Sequence, residues 1–132
     1  MIVRMTTEDQ FEIPEAKMTQ YRLSAAKRFA EEERALQERL ARAWQVARRA
    51  AILLKTVFEA QQVIAFGSLL QPELFHARSD VDLAAWGINE KFYYRAVAQL
   101  LSLDPEISFD LVRIEDASPS LQATILRDGV EV

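Results

Sequence analysis

The sequence predicts a small mixed α/β (α+β) domain, a mixed β-sheet packed by helices, carrying a long helical extension at its N-terminal side. Three observations carry this. Residues 16–59 contain neither Gly nor Pro and repeat their apolar positions at helical spacing. Three short apolar, β-prone runs follow, at 63–66, 81–86 and 108–114. Helical periodicity returns after the second and the third of them, so the order is helix, strand, turn, strand, helix, strand, helix.

Taken in order, residues 1–15 read as an irregular, polar arm closed by Pro14. In the long helix, Leu36, Leu40, Ala43, Ala47, Ala50, Leu54 and Val57 form one stripe, widened by Trp44, Ala51 and Phe58. Its first half is far more charged than its second. There Lys27 with Glu31, Arg28 with Glu32, Arg34 with Glu38 and Glu38 with Arg42 stand at i,i+4 and lend local support. The charged half is expected to project or to meet a partner, while 44–58 packs on the sheet. A break near 33–42 is compatible with the sequence but not required by it.

The run 63–66 ends at Gly67 and reads as a buried strand; 81–86 ends at Gly87 and reads as a second. Residues 91–103 are helical, with Phe92, Ala96, Leu100 and Leu103 on one face, and Asp104-Pro105 stops them. Residues 108–114 give a third strand. Ser118 caps a last helix that has Pro119 at its first position and runs through 120–127 before Asp128-Gly129 closes it.

Composition narrows the function. A chain of 132 residues, half of them hydrophobic, supports one core. No apolar run approaches the ~18 residues of a membrane span. The first fifteen residues lack the charged and apolar regions of a secretory signal. There is no cysteine, hence no disulfide framework and no thiolate metal site. A cytoplasmic protein is the expectation. The net charge of −4 disfavours broad nucleic-acid binding. Charge is uneven: residues 24–60 hold eight Lys and Arg against five Glu, and residues 61–132 hold five against eleven Asp and Glu. The acidic half suits metal cations and repels a bare phosphate.

That half contains VIAFGSLLQPELFHARSDVDLAA, residues 63–85. In a strand, residues two apart share a face, so Asp80 and Asp82 point one way while Val81 and Leu83 point into the core. Two neighbouring carboxylates repel unless a cation lies between them. Mg²⁺ is the natural occupant, held by one or two carboxylates together with substrate phosphates. A pair of such ions, about 4 Å apart, clamps an in-line displacement at phosphorus. Gly67 and Ser68 sit where the first strand turns: glycine lets a phosphate approach the backbone, and serine offers a hydroxyl and an N–H. A helical turn opened by Leu69 and Leu70 would add a favourable dipole. Asp110, with apolar neighbours on both sides, is unexpected in a core strand. On the face of the first two carboxylates it would complete a three-carboxylate site, as ligand and as acceptor of a hydroxyl proton. Taken singly, Asp-x-Asp is a common surface pair, Gly-Ser a turn and Asp110 an edge residue; the conjunction is what points to chemistry.

This conjunction resembles the DNA polymerase β-type nucleotidyltransferase superfamily, specifically a minimal nucleotidyltransferase. The shared pattern is hydrophobic-Gly-Ser, about ten residues, then Asp-hydrophobic-Asp, read here as FGSLLQPELFHARSDVDLAAWG. The likeness extends over 44–132, including the closing LRDGVEV, and leaves 1–43 as an N-terminal arm and charged helix. It implies the polymerase β-like fold. It implies that Asp80, Asp82 and Asp110 bind Mg²⁺, two ions in all, and act in catalysis. Gly67, Ser68, Ser79 and Arg78 would hold the nucleotide, with ATP as donor and pyrophosphate as leaving group. The sequence departs from relatives that carry Arg and Gly shortly after Gly-Ser, as in Gly-Ser-x-Ala-Arg-Gly. Leu69-Leu70-Gln71-Pro72-Glu73 stand there instead, and Arg78 is the only cation of the loop.

Minimal nucleotidyltransferases of this size are similar to the antitoxin half of toxin–antitoxin pairs whose partner is a helical HEPN-domain ribonuclease. The resemblance implies AMP transfer from ATP to a tyrosine hydroxyl of that toxin. An antitoxin that neutralises by contact alone is the second reading; a small-molecule (antibiotic-type) nucleotidyltransferase, its acceptor pocket made by a homodimer, is the third. No residues remain after Asp110 for an added acceptor domain, so the acceptor is expected to dock from outside. His76 reads as a solvated loop residue, Trp86 as a packing residue, Tyr93 and Tyr94 as amphipathic packing, and Arg48-Arg49 as a solvated helix face.

Overall fold

The computed structural model describes residues 14–132; the N-terminal arm expected at 1–15 falls almost wholly outside them. In chain order the elements are helix α1 (Glu15–Thr56), strand β1 (Gln62–Phe66), strand β2 (Val81–Trp86), helix α2 (Tyr93–Leu101), strand β3 (Phe109–Arg113), helix α3 (Pro119–Asp128) and strand β4 (Val130–Glu131). Short 3₁₀ turns stand at Gly67–Leu70, Glu90–Phe92 and Ile114–Asp116. The expected order is recovered, and the expected strands fall within a residue of those observed. The first helix was expected to reach residue 59 but ends at Thr56. The helix expected at 91–103 begins as a 3₁₀ turn, because the Asn89 side chain accepts the Lys91 N–H and tightens the first turn. Ser118 caps α3 as expected, its hydroxyl accepting the Leu121 N–H at 3.2 Å.

The described chain divides into two units, one reaching Ala35 and one spanning Leu36–Val132. Helix α1 contributes to both, with no interruption at 33–42. In the first unit, residues 15–35 are exposed apart from the half-buried Met18. The i,i+4 charge pairs expected there do not close: among the described residues the ion pairs are those of Arg42, Arg113 and Arg127. Fully solvated pairs gain little Coulomb energy and cost side-chain entropy.

The second unit is built on one four-stranded sheet in the order β3-β2-β1-β4. β1 runs antiparallel to β2 and to β4, and β2 runs parallel to β3. Alternation sorts the sheet residues. Val63, Ala65, Val81, Leu83, Ala85, Phe109 and Leu111 are buried on one face together with Ala43, Val46, Ala47, Ala50, Ala51 and Leu54 of α1 and Ala96 and Leu100 of α2. Four of the six α1 residues are alanine, and so small a contact surface lets the helix backbone lie close to the strands. The predicted stripe holds from Leu36 to Leu54. Val57 leaves it, 55 % exposed, because the chain has by then departed from the helix; Glu59 turns it with φ 60° and Phe58 folds back into the core. On the opposite face Ile64, Ala84, Ile114 and Ile125 form a smaller cluster, joined by Trp86 and Leu121. Helix α3 covers that part of the sheet and leaves the rest of the face open.

Two polar anchors hold the parts together. Lys55 Nζ donates to the Val132 backbone oxygen at 2.6 Å, and Val132 N donates to Val63 O at 3.0 Å, which ties the segment after β4 to α1 and β1. Asp104, buried between α2 and β3, accepts from Arg42 Nε at 2.7 Å and from the Glu106 N–H at 2.8 Å. Burial alone would raise its pKa, but the Glu106 N–H and Arg42 outweigh burial and hold the carboxyl below its ordinary value. Stability from this group is therefore present above the ordinary value of 3.8 and fades as pH falls through the lowered folded value. Arg42→Ala leaves a buried carboxylate half-satisfied and is expected to cost about 2 kcal/mol at neutral pH. Chemical denaturation across pH checks it: the gap to the parent should narrow below pH ~4 as Asp104 protonates.

Candidate active site

The open part of the second face carries the three aspartates. The pairing register places Phe66, Asp82 and Asp110 in one row across β1, β2 and β3, and Ile64, Ala84 and Val112 in the next. Residues opposite one another in a sheet share a face, and strands lie ~4.8 Å apart. Asp82 and Asp110 are thus side by side, above the apolar row that packs towards α3. Asp80 lies one step beyond β2. Val81 N donates to Ser108 O at 2.9 Å, and the Ser108 hydroxyl donates to Asp80 Oδ1 at 2.7 Å, so Asp80 is held beside β3 on the same side. The buried Val81 and Leu83 alternate to the core, as their positions predict.

The electrostatics follow from this geometry. Asp82 is half-buried, and its pKa is pushed up to about 6, first by burial, then by the Asp110 carboxylate and then by the Asp80 carboxylate. Two like charges destabilise the ionised form of a third, so the row favours a cation beside it. The donors are all hard oxygens, fitting Mg²⁺ rather than a softer metal. Among the described residues no three carboxylate or imidazole groups converge into a ready-made cage. Mg²⁺ does not require one, since it keeps waters and phosphate oxygens among its ligands. The residues therefore fit a cation shared between protein and nucleotide.

Gly67 serves Asp82 directly. It adopts φ +76°, and a methyl group there would collide with Asp82 Oδ2. The backbone between β1 and the following turn must be bare for the carboxylate to lie where it does. The Gly67–Leu70 segment is a single 3₁₀ turn, so any dipole it offers is that of one turn, not a full helix. Leu69, only 1 % exposed, pins it to the core. Ser68 is half-buried in the same turn.

Beyond it the loop closes on itself. Phe75 is buried, the His76 N–H donates to Ser79 Oγ at 2.9 Å, Ser79 N donates back to His76 O at 3.0 Å, and the Arg78 N–H donates to His76 Nδ1 at 3.1 Å. Ser79 is itself buried, so its hydroxyl orders the loop. His76 is exposed, as expected of a loop residue, yet its ring also shapes the turn. Arg78 is exposed beside Asp80 in sequence. The structure therefore brings Asp80, Asp82, Asp110 and Gly67 together, and sets Ser79 to a loop-shaping task.

Two residues escaped sequence reasoning. Ser108 is one; its signal was parity, because it stands to Asp110 as Asp80 stands to Asp82. Tyr93 is the other: its hydroxyl donates to Leu111 O at 2.6 Å and braces β3 next to Asp110. Burial first, and then Asp110, keep that phenol above its ordinary pKa and so protonated as a donor. Trp86 packs in the α3 cluster as predicted, whereas Tyr94 is 82 % exposed, against expectation. Arg48 and Arg49 lie on an exposed helix face, Arg48 over the Trp44 ring at 5.8 Å.

Sequence and fold comparisons give the chain its family and its fold relatives. Residues 50–132 match the family model for polymerase beta nucleotidyltransferases. The chain belongs to that nucleotidyltransferase family. No curated protein matches the chain significantly. Among solved structures it resembles a chain of a toxin–antitoxin complex crystallised with AMP-PNP, at 24 % identity and TM-score 0.53, over 63 % of this chain and 69 % of that one. It also resembles a chain in the complex of a tri-AMPylated Shewanella oneidensis HEPN toxin with an MNT antitoxin, at 20 % identity and TM-score 0.52, over 67 % and 70 % of the two chains. At these identities the likeness is one of fold alone. No described helix is long and apolar enough to cross a membrane.

Two outcomes follow from the carboxylate row. Because the folded pKa of Asp82 is raised, the folded state holds extra proton between 3.8 and about 6, and stability is lost as pH climbs through that window. In chelator, Asp82→Asn should be more stable than the parent above pH 6 by on the order of 1 kcal/mol, a value discounted for solvent screening of a half-open group. Thermal melts should show the advantage vanishing below pH ~4. Gly67→Ala should cost about 2 kcal/mol from its left-handed backbone and the displaced carboxylate, measured by denaturant unfolding.

Proposed function

We propose that this protein is a Mg²⁺-dependent nucleotidyltransferase antitoxin that transfers AMP from ATP to a tyrosine hydroxyl of a HEPN-domain toxin and thereby neutralises it. The observation that carries the reading is the row of Asp82 and Asp110, with Asp80 fixed beside it by Ser108, in a chain of the nucleotidyltransferase family. The fold-level resemblance to chains of an AMP-PNP-bound toxin–antitoxin complex and of a complex with a tri-AMPylated HEPN toxin supports donor, product and partner. Toxin and ATP share the cytoplasm in this reading.

Each residue has a task. Asp80 and Asp82 would hold Mg²⁺, with Asp110 as the third ligand. Bound there, Mg²⁺ supplies charge neutralisation to the carboxylates and to the phosphates of the donor. Gly67 leaves room for Asp82 and, with Ser68, presents bare backbone to the phosphates. Arg78 faces the same phosphates from the far end of the loop, and Ser79 keeps that loop in shape. A phenol has a pKa near 10, so Asp110, beside Asp82 at the sheet edge, is the base that takes its proton. The phenolate oxygen bonds to the α-phosphorus, the α–β bridging P–O bond breaks, and pyrophosphate leaves. Residues 44–132 form the transferase domain, and 1–43 are the arm and charged helix that meet the helical partner.

A second reading has its own observation. The loop after Ser68 is exposed at Gln71, Pro72 and Glu73 and carries a negative charge where relatives carry arginine. That favours an antitoxin acting by binding alone. One experiment separates the two: incubate the protein with ATP, Mg²⁺ and the product of the adjacent gene, then measure intact mass. The expected result is a gain of one or more AMP units on the partner, lost with Asp80→Ala or Asp82→Ala and slowed ~100-fold or more with Asp110→Asn. No AMP gain, with inhibition retained in Asp80→Ala, would establish the binding reading instead.

A further inference from the structure

A cleft of about 430 Å³ opens against Asp110, on the side of the sheet away from Gly67. β3 is the edge strand, and β1 with its Gly67 turn lies beyond β2, so the aspartate row separates the two. Leu111 and Val112 of β3 and the paired rings of Tyr93 and Tyr94 wall the cleft; the rings meet edge to face with centroids 5.3 Å apart. Glu90, Asp110 and Asp116 bring negative charge to it. The only cation in the lining, Arg113, is already spent: its Nε donates to Ile88 O at 2.9 Å and its Nη1 pairs with Asp116 at 2.6 Å. The cleft therefore offers a net negative wall, and in Tyr94 an 82 % exposed ring face.

Its position and charge exclude the donor nucleotide. A triphosphate belongs on the Gly67 side, and the Glu90 carboxylate, which the Arg113–Asp116 pair leaves uncompensated, would repel its phosphates. In an in-line displacement, attacking and leaving groups lie on opposite sides of the phosphorus, so a donor seated towards Gly67 draws its nucleophile from the Asp110 side. An exposed tyrosine attracts a guanidinium or ammonium group, as does the Glu90 carboxylate beside it.

We infer that this cleft is the acceptor subsite and that it selects a polypeptide segment whose acceptor hydroxyl is flanked by arginine or lysine. The inference rests on the transferase reading and adds its substrate class. The basic neighbour lies against Tyr94 and Glu90, and the hydroxyl is thereby presented to Asp110. Asp110 takes the proton, the hydroxyl oxygen bonds to the α-phosphorus of ATP, and pyrophosphate carries away the electrons of the broken P–O bond.

The test uses the full chain with Mg²⁺-ATP and a peptide library centred on a fixed tyrosine with randomised flanks, read by mass spectrometry for AMP addition. Labelled peptides should be enriched in Arg and Lys near the tyrosine by about tenfold, the combined size of one exposed ion pair and one cation–π contact. Glu90→Arg together with Tyr94→Ala should remove that enrichment while leaving the KM for ATP unchanged. Labelling without basic enrichment overturns the cleft assignment and leaves the transferase reading standing. A raised KM for ATP in the double variant, with enrichment unchanged, shows a nucleotide in the cleft and overturns the assignment too. No labelled peptide at all overturns the cleft assignment, and the transferase reading is then decided by the intact-mass experiment on the toxin itself.

Discussion

Two carboxylates held side by side by strand register are the constraint around which this molecule is arranged. Asp82 and Asp110 are partners across the parallel β2–β3 pair, so neither can retreat without breaking the ladder that fixes it. The third, Asp80, is kept close by a serine hydroxyl on the neighbouring strand. Repulsion among them, added to burial, raises the Asp82 pKa to about 6. Relaxation would be easy on a loop. Here the strain is borne by backbone hydrogen bonds on both sides of β2, which is why a central strand carries the most perturbed group.

The two faces of the sheet divide the work accordingly. One face is wholly apolar and is sealed by the alanine-rich half of α1 and by α2. Its burial supplies the hydrophobic stabilisation that a row of like charges on the other face draws down. The second face is covered only as far as α3 reaches, through Ile64, Ala84, Ile114 and Ile125. A helix long enough to cover the whole face would bury Asp82 and Asp110 without partners. The shortness of α3 and the opening above it are thus one requirement of the charge row.

Much of this was legible in the sequence because it depends on alternation and on punctuation. Apolar runs ending at Gly67 and Gly87 marked β1 and β2, and period-two parity placed Asp80 and Asp82 away from the core. Asp110 stood out as a charge in an apolar run, but its alignment with Asp82 is a matter of register, and register between distant strands is not written locally. For the same reason Ser108 was missed. The β4 strand, two residues long, is defined by pairing to Ile64 and Ala65 rather than by any run of its own. Gly67 was recognised for its place, though for an incomplete reason: what makes glycine necessary is Asp82 Oδ2, a side chain fifteen residues away. Val57 and Tyr94 defeated the helical pattern because one lies past the end of α1 and the other stands exposed at the start of α2, at the rim of the cleft beside β3.

The charge row says what kind of reaction the sheet end supports, and what borders it must say on whom. On the Gly67 side the bordering loop is ordered by His76, Ser79 and Phe75, yet presents Glu73 and a single arginine. On the Asp110 side, Tyr93 is locked onto β3 while Tyr94 is left bare, and the one arginine lining the cleft is tied up by Ile88 and Asp116. A site built to grip an anion would free that arginine and bury those acids. This one does the reverse, so the selectivity of its Asp110 side is for positive charge, and whatever reaches the aspartates from there must bring its own.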